Sequence, residues 1–306
     1  MLGAPAIAHQ IDVPGVMSQQ RLMSLLHRVS ARLIRAVPGS KAHGIASYWR
    51  DLGRVAEADV ALVSFPKSGR TFVRVMLARL YQRQFGIDER EALKFATLRR
   101  APVTVPRILF THNGDAMRRP SKIIINRKAY AGRRVVVLSR HPGDVVVSRY
   151  FHLKHRSVDK ARQRLASQPL DDFVWTTQGG VPSIVHFLNQ WAQFSREGGN
   201  VLMLRYEDFL THPERSLRSL AHFVGLAIDD ELIREAVEFA RFDNLKEKER
   251  EGYFASSRLG PGRDGADASF KVRTGKSGGY RTQVTEANRN RIDNCVRNDL
   301  DPIFGY

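Results

Sequence analysis

Four short apolar runs along the chain alternate with stretches of helical spacing. Residues 60–63 (Val-Ala-Leu-Val) form the first run. They are followed by Val73, Met76, Leu77 and Leu80, whose intervals of three and four predict a helix. Residues 107–112 predict a second short strand that ends on the polar pair Thr111-His112. Residues 134–139 carry three adjacent valines, a pattern that suits a parallel strand buried on both faces. A further buried strand is expected at 201–204. Helices are expected near 144–155, at 170–175, 183–194, 213–224 and 229–240, and at 286–300. Residues 122–125 are apolar but too short to place. Residues 82–107 are charged and irregular, 154–168 are basic and polar, and 252–280 lose apolar periodicity and predict a long loop. Strands alternating with helices predict an α/β fold, with a central parallel sheet covered on both faces.

The N-terminus follows a different pattern. Residues 1–16 predict a loose arm. In residues 17–37, Leu22, Leu25, Leu26, Val29 and Leu33 recur at helical spacing between Arg21, Arg28, Arg32 and Arg35. This basic amphipathic helix either packs its apolar face on the domain or lies peripherally on an anionic membrane. The expected division is therefore an arm and helix over residues 1–40 and one domain over residues 41–306.

Charge narrows the partners. The 306 residues carry a formal net charge of +18, so phosphate-bearing ligands, acidic glycans, nucleic acid or a membrane surface are expected. A single cysteine, Cys295, leaves no intrachain disulfide and no zinc cluster, which fits a reducing compartment. No secretory leader and no membrane-spanning run is recognised, so the expected location is cytoplasmic.

The candidate chemistry lies where strands end. Ser64-Phe65-Pro66-Lys67-Ser68-Gly69-Arg70-Thr71-Phe72 joins the first strand to the first helix. Such a turn leaves backbone N–H groups at the helix start without intrahelical partners, and these make an anion cradle. Gly69 allows close approach, Lys67 and Arg70 add charge, and Ser68 and Thr71 add hydroxyls. A Walker A loop ends Gly-Lys-Ser/Thr, whereas here Arg70 follows the glycine and the lysine precedes it. At the third strand, Arg140 is placed for bidentate phosphate binding, with Ser148 about two helical turns later. His112 ends the second strand, where a histidine suits general-base work near neutral pH. Taken singly, each has an ordinary structural explanation: a basic turn, an arginine paired with a carboxylate, a core histidine.

Phe65-Pro66-Lys67-Ser68-Gly69 resembles the 5′-phosphosulfate loop of sulfotransferases that use 3′-phosphoadenosine 5′-phosphosulfate (PAPS). Arg140-His141-Pro142-Gly143-Asp144, followed by Ser148, matches that family's Arg-x-Pro-x-Asp-x-x-x-Ser pattern, whose arginine and serine bind the 3′-phosphate. Thr111-His112 is similar to the end of the family's Lys-Thr-His, whose histidine is the catalytic base; Phe110 stands at the lysine position. Residues 270–281 resemble a C-terminal segment that folds over the nucleotide. There Arg273 and Gly275 match, while Thr274, Gly279 and Tyr280 replace lysine, aspartate and tryptophan. Phe72, Tyr206 and Phe242 align with residues beside the nucleotide, and core packing is the alternative for each.

The resemblance spans about residues 59–292. It implies a P-loop NTPase-like α/β fold and transfer of a sulfuryl group from PAPS to an acceptor hydroxyl or amine, leaving 3′-phosphoadenosine 5′-phosphate (PAP), with no metal expected. His112 and Lys67 would be catalytic. Lys67, Ser68, Gly69, Arg70, Thr71, Phe72, Arg140, Ser148, Tyr206, Phe242, Arg273, Thr274 and Gly275 would bind PAPS. Two other classes stay open: a Mg²⁺-dependent nucleotide phosphotransferase and a non-enzymatic binder of anionic polymers. No specific nucleic-acid partner is expected. The basic residues 154–164 and the helix at 17–37 are compatible with a glycan, glycolipid or membrane-proximal acceptor more than with a small phenol. The family's C-terminal dimer motif is poorly matched over 281–290.

Overall fold

The computed structural model describes residues 51–92, 94–114, 116–157, 163–253 and 277–306. The arm and helix expected over residues 1–40, and with them the membrane contact, lie outside the described residues. Strands β1 (Val60–Ser64), β2 (Ile108–Thr111), β3 (Arg134–Ser139) and β4 (Val201–Arg205) form one parallel sheet in the order β2-β1-β3-β4. Val60 pairs with Ile108 on one side and Arg134 on the other, and Val135 pairs with Val201.

That register puts alternate residues of neighbouring strands on the same face. Ala61, Val63, Leu109, Val135 and Val137 join one core. Val60, Leu62, Ile108, Val136 and Leu138 join the other. Helices α1 (Arg70–Phe85), α5 (Pro213–Val224) and α6 (Asp230–Phe239) cover the second face. Helices α2 (Pro142–Arg156), α3 (Val181–Arg196) and α8 (Glu286–Asp299) cover the first. Two further helices, α4 (Tyr206–Thr211) and α7 (Phe242–Arg250), complete the numbering. Each large aliphatic side chain buried between these layers contributes roughly 1.5–3 kcal/mol.

Several expectations shift. Residues 201–204 were expected to form a buried strand, but β4 is only half-buried along its length, whereas β2, at the other edge of the sheet, is mostly buried. Residues 122–125, which the sequence pattern left unplaced, form no strand. A 3-10 turn at Pro120–Lys122 leads into extended chain in which Ile123 and Ile125 are buried and Ile124 is exposed. Residues 82–107 contain two single-turn helices, Glu89–Ala92 and Phe95–Leu98. Among the described residues no helix is long and apolar enough to cross a membrane.

Candidate active site

The site is assembled where β1, β2, β3 and β4 reach their carboxyl ends, the edge at which open α/β sheets bind ligands. After β1 the chain turns through Lys67 and Gly69, both in the left-handed region (φ 79° and 81°). Ser68 N–H donates to the Phe65 carbonyl at 3.3 Å, and Phe72 N–H to the Gly69 carbonyl at 2.9 Å. Phe65 and Ser68 are buried, which anchors the turn from beneath. Gly69 caps α1 without a side chain, so no side-chain oxygen occupies the helix start.

Gly69 is required by contact as well as by φ. A β-carbon there would lie 2.1 Å from Cδ2 of Tyr206, the first residue of α4. The Tyr206 ring meets Phe72 edge-on with centroids 6.3 Å apart, and the Arg140 guanidinium lies 4.7 Å from its centre. Arg140 also donates to the Lys67 carbonyl at 3.3 Å, and its Nη2 is 3.8 Å from the Asp144 carboxylate. The loop at 65–71, Arg140 and Tyr206 therefore meet. Their separate positions in the chain are brought together because β1, β3 and β4 are consecutive in the sheet.

A match to the sulfotransferase domain family covers residues 57–303. The chain belongs to the sulfotransferase family. Relatives of this sulfotransferase include Cytosolic sulfotransferase 3 of Arabidopsis thaliana, 22% identical over 271 residues and covering 84% of this chain and 81% of its own. Sulfotransferase 1A1 of Canis lupus familiaris is 26% identical over 262 residues, covering 77% and 81%. Among solved structures, mouse sulfotransferase SULT7A1 complexed with PAP has a TM-score of 0.55 at 17% identity, covering 79% of this chain and 85% of that one. Retinol dehydratase in a complex with retinol and PAP has a TM-score of 0.58 at 18% identity, covering 83% and 86%. These likenesses establish a P-loop-like sulfotransferase fold.

Immediately after β2 of this sulfotransferase, His112 stands beside the start of the loop. Its Nδ1 is 2.7 Å from the Ser64 carbonyl. A carbonyl only accepts, so Nδ1 carries a proton. The turn after His112 is braced. Thr111 donates its hydroxyl to Asp51 at 2.9 Å and accepts from Asn113 N–H at 2.9 Å, and Gly114 N–H reaches Asp51 at 3.2 Å. Phe110 is half-buried, with the Arg74 guanidinium 4.5 Å from the centre of its ring.

Behind Arg140, α2 begins with His141 as its cap: Nδ1 accepts from Gly143 N–H at 3.2 Å, with Pro142 in the first turn. Burial lowers the His141 pKa, against the opposing pull of Asp144, Glu207 and Asp293. Asp144 is buried and accepts Gly278 N–H at 2.7 Å, Tyr280 N–H at 3.1 Å and the Ser277 hydroxyl at 3.3 Å. Tyr280 stacks on the His141 ring at 4.7 Å and donates to Asp293. Residues 277–280 are thus tied to the start of α2. Ser148 is half-buried one turn beyond Asp144, on the same side of α2.

Phe242 is not brought into this group among the described residues: it opens α7, half-buried, with no described contact to Lys67, Arg140 or Tyr206. Arg273, Thr274 and Gly275 lie outside the described residues. Two participants carried no sequence signal that singled them out: Asp51 precedes the first strand, and Tyr306 is far from every motif. Glu207 lies in Tyr206-Glu207-Asp208, which matches the family's Tyr-Glu-Asp, but the resemblance gives a role only to the tyrosine.

Proposed function

We propose that the protein transfers a sulfuryl group from PAPS to an acceptor hydroxyl or amine. The observation that carries this reading is the meeting of the 65–71 loop, Arg140 and Tyr206 at the sheet edge beside His112. In it, Lys67 and the backbone N–H groups at Ser68–Thr71 receive the 5′-phosphosulfate, aided by the Arg70 and Thr71 side chains. Arg140 and Ser148 take the 3′-phosphate, and Phe72 and Tyr206 flank the base. PAPS supplies an electrophilic sulfur with PAP as leaving group.

The acceptor oxygen attacks sulfur, the sulfur–oxygen bond to the 5′-phosphate breaks, and that electron pair stays on PAP. His112 takes the acceptor proton at Nε2, the ring nitrogen that does not face the Ser64 carbonyl. Lys67 and the loop N–H groups stabilise charge on the departing phosphate oxygen, and fixed donors of this kind are usually a site's largest catalytic contribution. The net charge of +18 favours an acidic acceptor of the glycan or glycolipid class over a small phenol. A cytoplasmic setting is proposed from the names of the cytosolic relatives.

Calorimetric titration with PAP beside ADP, without added metal, tests the donor. Micromolar PAP binding with much weaker ADP binding is expected. Equal binding, or binding that needs Mg²⁺, would point to a phosphotransferase; binding of neither would point to a polymer binder. Radiolabelled sulfuryl transfer to a sulfated glycan and to a simple phenol then separates the acceptor classes.

A further inference from the structure

We infer that Glu207 and Tyr306 are positioning residues for the 3′-phosphate site: they bracket the backbone on both sides of Arg140 and so set donor discrimination. This rests on Arg140 binding the 3′-phosphate, as proposed above.

Arg140 is the single residue between the end of β3 and the cap of α2. Its guanidinium is set by the Lys67 carbonyl, the Tyr206 ring and Asp144. Its backbone is held by something else. On the C-terminal side, His141 N–H donates to Glu207 Oε1 at 2.9 Å. On the N-terminal side, the Ser139 hydroxyl lies 3.1 Å from the Tyr306 hydroxyl and 3.3 Å from the Leu204 carbonyl.

One carboxylate closes the bracket, because the Tyr306 hydroxyl donates to Glu207 Oε2 at 2.8 Å. Glu207 only accepts, so the tyrosine proton points to it, and the tyrosine lone pairs are left for Ser139, whose one proton is shared between the Tyr306 oxygen and the Leu204 carbonyl. Glu207 thus grips His141 directly and Ser139 through Tyr306.

The bracket is itself supported. The Arg205 guanidinium lies 4.7 Å from the Tyr306 ring centre, and its Nη1 donates to the Gly305 carbonyl at 2.9 Å. Tyr306 meets the His141 ring edge-on at 5.5 Å, while Tyr280 stacks on that ring. The hold on Arg140 is thus through the backbone at His141 and through the side-chain hydroxyl at Ser139. The 65–71 loop, where a 5′-phosphate would bind, meets Tyr206 and the Arg140 guanidinium, and no described hydrogen bond joins it to Glu207 or Tyr306.

Bidentate arginine–phosphate recognition depends on orientation. Releasing the bracket should therefore weaken PAP, which has a 3′-phosphate, and spare ADP, which does not. Tyr306→Phe keeps the ring and removes the hydroxyl. Glu207→Gln keeps the volume and removes the charge. Loss of a hydrogen bond to a charged group corresponds to about tenfold in binding.

The experiment titrates wild type, Tyr306→Phe, Glu207→Gln and Arg140→Ala with PAP and with ADP, with thermal melting as a folding control. The expected result is a fall of about tenfold in the PAP-to-ADP affinity ratio for both bracket variants, with ADP affinity unchanged. Equal weakening of both nucleotides would reduce the bracket to general scaffolding and overturn the proposal, as would unchanged binding of both. If Arg140→Ala collapses the ratio and the bracket variants do not, the bracket alone is wrong. If Arg140→Ala leaves the ratio intact, the 3′-phosphate assignment fails and the bracket falls with it.

Discussion

Replacing Gly69 with alanine tests whether the loop is shaped by backbone conformation alone or also by its packing on Tyr206. Two costs are separable. A non-glycine residue at φ 81° pays about 1–2 kcal/mol for the left-handed conformation. The new β-carbon would also fall 2.1 Å from Tyr206 Cδ2, so the ring must move. Forced overpacking costs roughly 1–3 kcal/mol, and turning Tyr206 away forfeits its contacts with the Arg140 guanidinium and Phe72. Gly86 is the internal control. It ends α1 at φ 67° with nothing within 4 Å of an added β-carbon, so Gly86→Ala pays only the conformational cost. Gly69→Ala should therefore lose roughly 2–5 kcal/mol and Gly86→Ala about 1–2 kcal/mol. At about 2–4 °C per kcal/mol for a large domain, melting curves resolve that gap. PAP titration should show Gly69→Ala impaired and Gly86→Ala normal, because the displaced Tyr206 ring supports Arg140. Equal melting temperatures with intact PAP binding in both variants would refute the argument that the loop is packed against Tyr206.

Lys67→Ala should lower turnover about 10²–10³-fold, the range for removing one charge-stabilising donor; near-normal rates in a transfer assay would remove Lys67 from the chemistry. His112→Ala should lower kcat by about 10²–10⁴-fold while PAP affinity stays within about twofold, since a general base acts on the acceptor and not on the donor. His141 links stability to pH. Its ordinary pKa is 6.5 and burial lowers it in the fold, so the unfolded chain binds the extra proton first as pH falls. The stabilisation is full above about 6.5 and is lost as pH drops through the lowered folded value. Melting temperature should thus fall more between pH 7.5 and 5 for wild type than for His141→Asn, which can still cap the Gly143 N–H but does not titrate; parallel pH curves would discard this assignment.

How far the sequence could reach follows from which interactions are local. The β1 and β3 runs were legible because residues buried on both faces of a parallel sheet need no alternation, and Val135-Val136-Val137 shows it. The loop at 65–71 was legible because glycine, lysine and hydroxyl residues between a strand and a helix serve one purpose within nine residues. Helix α7 was not, because Phe242–Arg250 is almost wholly polar and buries only Leu245 and Glu249, leaving hardly any apolar period to detect. The half-buried state of β4 was hidden for a different reason: Val201-Leu202-Met203-Leu204 reads as core, and how far other elements cover a strand is a property of the whole fold that no local pattern encodes. The same limit hid the supports of the site. Asp51 acts on Thr111 at a separation of 60 positions, and Tyr306 acts on Ser139 at a separation of 167. Both partners are ordinary residues in their own neighbourhoods. Groups that would touch ligand come as compact motifs because one loop must present several donors at once, whereas groups that hold those motifs in place need only one well-aimed atom, and that atom can come from anywhere the fold brings near. Glu207 falls between the two cases: it sits next to Tyr206, which the resemblance marks, yet its two carboxylate oxygens serve the backbone at His141 and the hydroxyl of Tyr306. Its neighbour is placed against Gly69 and Arg140, while Glu207 itself acts on the other side of the same arginine.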